Sequence, residues 1–269
     1  MGRRNGTGSA LQTVIFHEPK AGSATSEWED GAGFSPADPA TGRPARLVAV
    51  DGATEAYDSV RWVNQLVSSF LGDDGRPPAL QRADLDVWFG HMQQRWVDEA
   101  PRQFANIFEE RKFHDSGSFA TFLGCEVAGL GGPEPTWRAA ALGDTLLYQV
   151  RGGRVVAQFP RMAAGDFGIN PDGVFTLPSQ RDRMRAGLAF GDGALEVGDV
   201  LYLATDALAA WLVHADADVW RDLAGLEHPR VFRRMVADLR RRGALKNDDV
   251  TLLRAAVTPV DVEVLVVCR

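Results

Sequence analysis

The sequence is poor in the side chains that hold soft metals. Its two cysteines, Cys125 and Cys268, lie far apart and outside any CxxC or Cys/His spacing, which excludes a structural zinc site and a disulfide framework. None of the five histidines carries a catalytic spacing, and His17, the nearest in sequence to Glu29-Asp30, is a candidate proton donor. No window approaches the roughly 18 consecutive apolar residues of a membrane span. The N-terminus, Met1-Gly2-Arg3-Arg4-Asn5-Gly6, has no apolar signal-peptide core, and Gly6 stands where a myristoylation motif needs Ser or Thr. A cytoplasmic protein is therefore expected. An excess of positive charge is missing too: the formal net charge is -7, which argues against a nucleic-acid surface. The runs Arg233-Arg234 and Arg240-Arg241-Arg242 read as a solvated helix face.

What is present is an ordinary globular composition, 45% hydrophobic and 24% charged over 269 residues, long enough to bury a sizeable core. Residues 1–12 are rich in Gly, Arg and Ser and read as a loose arm ahead of one domain spanning 13–269. Thr13 to Phe16 reads as a first strand and Leu47 to Val50 as a strand buried on both faces. A helical pattern follows, with Val60, Val63, Leu66, Val67 and Phe70 at spacings of three and four. A second helical region runs from Leu80 to Arg111, interrupted at Pro101, with Trp88, Met92, Trp96, Phe104 and Phe108 as a core stripe. From Ser116 the pattern turns to short strands, with turns at Gly143-Asp144 and Gly152-Gly153. Residues 160–194 read as a loop or flap with one strand. The strand Val200 to Thr205, helices over Leu208–Leu226 and Pro229–Arg242, the strand Val250 to Leu253 and a last strand near Val262–Val267 complete an α+β order, sheets inside and helices outside.

Three apolar strands end on or begin with aspartate: Asp51 after Leu47–Val50, Asp206 after Val200–Thr205, and Asp248 before Val250–Leu253. Glu29-Asp30 sits upstream in a Gly-rich segment. Carboxylates delivered to one rim of a sheet repel one another and lose solvation, and divalent cations resolve that conflict. An all-oxygen donor set points to magnesium or manganese. Two such ions activate water and clamp a phosphoryl oxygen, so the expected chemistry is attack of a metal-bridging hydroxide on phosphorus.

In this order the motifs Glu29-Asp30, Val48-Ala49-Val50-Asp51-Gly52, Gly117-Ser118-Phe119-Ala120-Thr121, Ala141-Leu142-Gly143-Asp144-Thr145, Leu203-Ala204-Thr205-Asp206 and Asp248-Asp249-Val250-Thr251 resemble those of the metal-dependent protein phosphatases, the type 2C serine/threonine phosphatases. The likeness runs from about Thr13 to Val267. It implies a four-layer α/β/β/α sandwich, two antiparallel β-sheets flanked by helix pairs, with a binuclear Mn2+ or Mg2+ centre at one sheet edge. It further implies that Asp51 bridges the ions, that Gly52 offers its carbonyl, that Glu29, Asp206 and Asp248 hold the other ion, that Asp30 orients water, and that Asp144 serves a possible third metal. The substrate would be a phosphorylated protein, the flap 160–194 would face it, and a monomer is favoured.

The departures from the family pattern bear on activity. Where many members have an Arg that grips the substrate phosphate, this sequence has Thr25. Lys20 or a flap arginine, Arg181, Arg183 or Arg185, is a candidate replacement. Ala53 follows Asp-Gly where animal-type members have His. Asp249 replaces the usual Asn and is expected to tune metal affinity. Two alternatives stay open beside the protein phosphatase: a phosphatase-fold regulatory module with weak or no turnover, and a hydrolase of small phosphate esters.

Overall fold

The computed structural model describes residues 8–38, 40–54, 56–75, 77–167 and 172–259. In chain order the elements are β1 (Ser9–Glu18), β2 (Gly31–Ser35), β3 (Ala45–Val50), α1 (Ser59–Leu71), α2 (Arg82–Asp98), α3 (Ile107–Arg111), β4 (Phe119–Ala120), β5 (Phe122–Ala128), β6 (Thr136–Leu142), β7 (Leu146–Arg151) and β8 (Arg154–Phe159). There follow β9 (Val174–Phe175), α4 (Arg181–Gly187), β10 (Ala189–Ala194), β11 (Val200–Ala204), α5 (Asp206–Leu212), α6 (Ala217–Ala224), α7 (Pro229–Arg241) and β12 (Val250–Pro259). Two five-stranded antiparallel sheets form, ordered β1-β12-β11-β7-β8 and β10-β6-β5-β3-β2, with a small β4-β9 pair beside them.

Period-two alternation builds the layers. On β3, Ala45, Leu47 and Ala49 point between the sheets, where they meet Leu123, Leu203, Leu253 and Val257. Val48 and Val50 point outward to Trp62, Leu66 and Phe70 of α1 and to Trp88 and Trp96 of α2. The other sheet covers its outer face with α5, α6 and α7 through Phe16, Tyr148, Tyr202, Trp220 and Phe232. The result is the four-layer α/β/β/α sandwich, with three helices on one side rather than a pair.

Several boundaries differ from the sequence reading. The first strand starts at Ser9, not Thr13, because Ser9 to Gln12 are carried by ladder pairing with Pro259 to Ala256 rather than by an apolar pattern. Strand β12 runs on past Leu253 through a buried Arg254, whose guanidinium donates to the carbonyls of Ala224 (2.5 Å) and Leu223 (3.3 Å) at the end of α6. Residues 189–194, expected in the flap, form edge strand β10 against β6. Its Gly191 and Gly193 leave room for the rings of Phe159 and Trp137, so the strand carries no apolar alternation to detect. Within the expected stripe on α2 and α3, Trp88, Met92 and Trp96 are buried, whereas Phe108 is exposed, because α3 is a separate short helix beyond Pro101. The turns at Gly143 and Gly152-Gly153 are present, all three at positive φ. The expected strand near Val262–Val267 and Cys268 lie outside the described residues.

Candidate functional site

Strand register decides which acids meet. In one sheet Gly31 pairs with Val50, so Asp30 and Asp51, one step beyond each, emerge side by side. In the other sheet Ala204 pairs with both Leu252 and Leu146, which brings Asp206, Asp248 and the β6–β7 turn residue Asp144 to the same edge. The edges are tied across the sandwich by Asp30, whose Oδ2 accepts from Thr205 Oγ1 at 2.9 Å and Thr251 Oγ1 at 2.7 Å. Asp206, in the first turn of α5, donates its N–H toward Asp51 Oδ2 at 3.4 Å. Asp51 is itself held by its backbone: Thr121 Oγ1 accepts from its N–H at 3.2 Å, and Thr121 N–H donates to its carbonyl at 2.9 Å.

Gly52 is required by a close approach. A Cβ there would run into the backbone carbonyl of Glu29 and into Val63. Only a residue without a side chain lets the Glu29 segment lie against the end of β3. Glu29 accepts from Ser59 Oγ at 2.6 Å through Oε1 and pairs with Lys20 Nζ at 3.3 Å through Oε2.

The acids fall into two electrostatic environments. Burial pushes the Asp51 carboxyl well above the usual range, and the charges of Asp30, Asp206, Asp144 and Asp248 push it further. Asp30 is raised to about 8, by burial first; the Thr251 and Thr205 hydroxyls act against that, and Asp249 and Asp206 add to it. Asp144, 2% exposed, is raised to about 6 by burial and by Asp206, and its Oδ1 has no hydrogen-bond partner among the described residues. On the rim, Lys246 Nζ stands 2.6 Å from Asp248 Oδ2 and 3.4 Å from Asp206 Oδ2. Against the cost of burial, those two carboxylates hold the Lys246 ammonium above its ordinary value.

Asp249 has a structural task that its neighbour in sequence does not suggest. Its Oδ1 accepts from Lys20 N–H at 2.8 Å and its Oδ2 from Glu29 N–H at 2.6 Å, so one buried carboxylate clips both ends of the segment that carries Glu29. Asn247 Oδ1 accepts from Ala21 N–H at 2.7 Å, and Arg240 donates to the carbonyls of Pro19 (2.9 Å) and Asp248 (2.5 Å). The contacts to residues 19–29 span more than two hundred residues, and no local pattern announces them. Thr205 and Thr251 were missed as well, although each lies within the quoted Thr-Asp and Asp-Asp-Val-Thr motifs.

Other sequence candidates lie elsewhere. His17 stacks on Trp28 with ring centroids 4.6 Å apart, and burial pulls its pKa below the ordinary value. Cys125 is buried between the sheets. Thr25 is exposed at the start of a single 3-10 turn. Arg181 donates to Asp86 O at 2.8 Å, Arg185 forms a fork to Asp86 at 2.8 Å on both oxygens, and Arg183 pairs with Asp172 at 3.0 Å. These partners belong to α2 and to the flap itself, which leaves Lys20 as the sequence-proposed cation that touches the acid cluster.

Among the described residues, no three His, Cys, Asp or Glu side chains converge at ligating spacing. The composition of the edge nevertheless fits a hard divalent cation: every donor is oxygen, Asp144 Oδ1 is buried without a partner, and the acids burden one another with like charge. No helix among the described residues is long and apolar enough to cross a membrane.

No protein-family model and no curated protein sequence matches the chain. Solved structures do. The Mycobacterium tuberculosis serine/threonine phosphatase PstP aligns over 93% of this chain and 99% of its own, with TM-score 0.61 and 15% identity, and the catalytic domain of PstP has also been solved in complex with two manganese ions. The serine/threonine phosphatase Stp1 from Staphylococcus aureus aligns over 95% of this chain and 98% of its own, with TM-score 0.62 and 14% identity. The photosystem II phosphatase PBCP aligns over 95% and 100%, with TM-score 0.61 and 14% identity. The chain thus has the fold of the metal-dependent, type 2C serine/threonine phosphatases.

Proposed function

We propose that the protein is a manganese- or magnesium-dependent phosphomonoesterase that removes phosphate from phosphoserine and phosphothreonine in proteins. The observation that supports it most is the meeting of Asp30, Asp51, Asp144, Asp206 and Asp248 at one edge of a phosphatase-type sandwich, through strand register and the Thr205 and Thr251 hydrogen bonds to Asp30 that join the two sheets. In this reading Asp51, Glu29, Asp206, Asp248 and the Gly52 carbonyl hold the cations, with Asp144 beside them. Bound there, divalent cations lower the pKa of coordinated water and polarise phosphoryl oxygens. Asp30, with its carboxyl held near neutrality by burial and gripped by Thr205 and Thr251, is positioned to hold or accept a proton at Oδ1. The ammonium of Lys20, whose backbone N–H is held by Asp249 and whose neighbour Ala21 is held by Asn247, offers positive charge to an incoming phosphate.

The test is manganese-dependent hydrolysis of a phosphothreonine peptide by wild type, Asp51→Ala and Asp206→Ala. Turnover by wild type and a loss of at least about a hundredfold in both variants is expected. Wild type that binds manganese but is inert supports the regulatory reading instead, which the exposed Thr25 favours. Turnover of p-nitrophenyl phosphate without phosphopeptide turnover supports the small-ester reading.

A further inference from the structure

On the reading that the acid edge takes divalent cations, we propose that Lys246 is a built-in competitor for one of the positions: its ammonium sits between Asp206 and Asp248 and has to leave before that pair holds a metal ion. The two contacts, at 2.6 and 3.4 Å, place a single positive charge where both carboxylates converge. Asp144 also feels it, since Lys246 is the positive charge that opposes the upward push on that carboxyl.

The segment around Lys246 fixes its stem and frees its head. Leu245, on one side, is buried against α5 to α7. On the other side Asn247 is pinned to the Ala21 backbone, and Asp248 is held through its carbonyl by Arg240. The N–H of Asp248 donates to the Lys246 carbonyl at 3.1 Å, a tight turn that folds the lysine back over the acids. The Lys246 side chain itself is 65% exposed. It can swing into solvent without any backbone shift, so a cation enters by exchange with the ammonium and not by opening of the fold. Among the described residues Asp30 and Asp51 have no such partner: the hydrogen bonds to the Asp30 carboxylate come from threonines, and that to the Asp51 carboxylate comes from a backbone N–H.

Metal affinity is then the difference between what the ion gains and what the ammonium gives up. An exposed double ion pair of this kind is worth about a tenfold change in binding. Manganese titration, followed by electron paramagnetic resonance of the free ion, compares wild type with Lys246→Met, Lys246→Arg and Arg241→Met. Arg241 pairs with Asp238 on the exposed face of α7, so its loss changes net charge equally without touching the acids. Lys246→Met is expected to bind manganese about tenfold tighter, with Lys246→Arg and Arg241→Met within about threefold of wild type. Melting adds a second readout: Lys246→Met melts lower than wild type without metal and gains more on adding manganese. Unchanged or weaker binding in Lys246→Met overturns the proposal, as does an equal gain in Arg241→Met. Phosphopeptide turnover in the same samples reports on the phosphatase reading separately, because ion binding is measured whether or not the protein turns over.

Discussion

The acid edge has two halves that solve the same electrostatic problem differently. In the inner half, Asp30 and Asp144 are buried and Asp51 half-buried, and burial together with the neighbouring like charges pushes all three carboxyls toward the neutral form. The rim half, Glu29, Asp206 and Asp248, is paired with the ammonium groups of Lys20 and Lys246. A buried acid with no cation is a debt within the fold that only a proton or a metal removes. A rim acid with a lysine is already settled, and gains less from an ion.

The sharpest way to break this comparison is Asp51→Asn, which keeps the shape and removes the charge at its centre. Metal-dependent turnover should fall by at least about a hundredfold. The metal-free protein should nevertheless melt higher than wild type, because repulsion from Asp30, Asp206, Asp144 and Asp248 is relieved. Asp206→Asn provides the contrast: it takes from Lys246 one of its two carboxylates and is expected to give no such gain. If both variants melt alike, the division into halves fails.

Next in size is Asp249→Ala. It is buried, 5% exposed, and clips Lys20 and Glu29 by hydrogen bonds of 2.8 and 2.6 Å. Removing a carboxylate that satisfies two backbone donors should cost about 2–4 kcal/mol in denaturant unfolding. Asp249→Asn, which keeps one acceptor, should recover part of that. A loss of metal affinity without loss of stability would instead return Asp249 to the tuning role expected from sequence.

How much of this was legible in the sequence follows from the range of the interactions. Strands β3 and β11 declare themselves by unbroken apolar runs with an Asp just beyond each, so the positions of Asp51 and Asp206 could be read locally, whereas the sandwich came from the family resemblance. The motif order supplied Asp30, Asp144 and Asp248. The clip made by Asp249, the Asn247 and Arg240 contacts to residues 19–21, and the Lys246 bridge join segments that only the folded topology brings together. Strand β10 stayed hidden for a different reason: its glycines serve the rings of Phe159 and Trp137, which are distant in the chain.

Proton linkage distinguishes the halves at smaller amplitude. Asp30 holds its proton up to about 8 in the native state, whereas an unfolded Asp loses it near 4. Between those values the native state binds more protons than the unfolded state, so the stability of the metal-free protein falls as pH rises through this window. Asp144, raised to about 6, adds to the fall in the lower part of it. The slope should be on the order of 1 kcal/mol per pH unit. Urea unfolding from pH 4.5 to 7.5, about the span between the two values, should show it. Asp30→Asn should flatten the slope, and saturating manganese should flatten it by replacing the proton. A slope of opposite sign would mean that the inner acids are ionised without a cation.

The smallest expected effect concerns a region outside both halves. Arg185 carries the charge a phosphate clamp needs, yet its fork is spent on Asp86 of α2, at 2.8 Å to each oxygen, with a further contact to Asp182. That pair is largely exposed, with side-chain exposures of 49% and 23%, and is worth less than about 1 kcal/mol to stability. Arg185→Ala should therefore change the KM for a phosphothreonine peptide by less than about twofold. Lys20→Ala, which removes the ammonium beside Glu29, should raise it more. The order matters more than either value, since a larger effect at Arg185 requires α4 to leave α2 and turn toward the acid edge when substrate binds. That motion would break the Asp86 fork, and Asp86→Ala would then lower KM by releasing Arg185 in advance, whereas a fixed flap leaves KM unmoved.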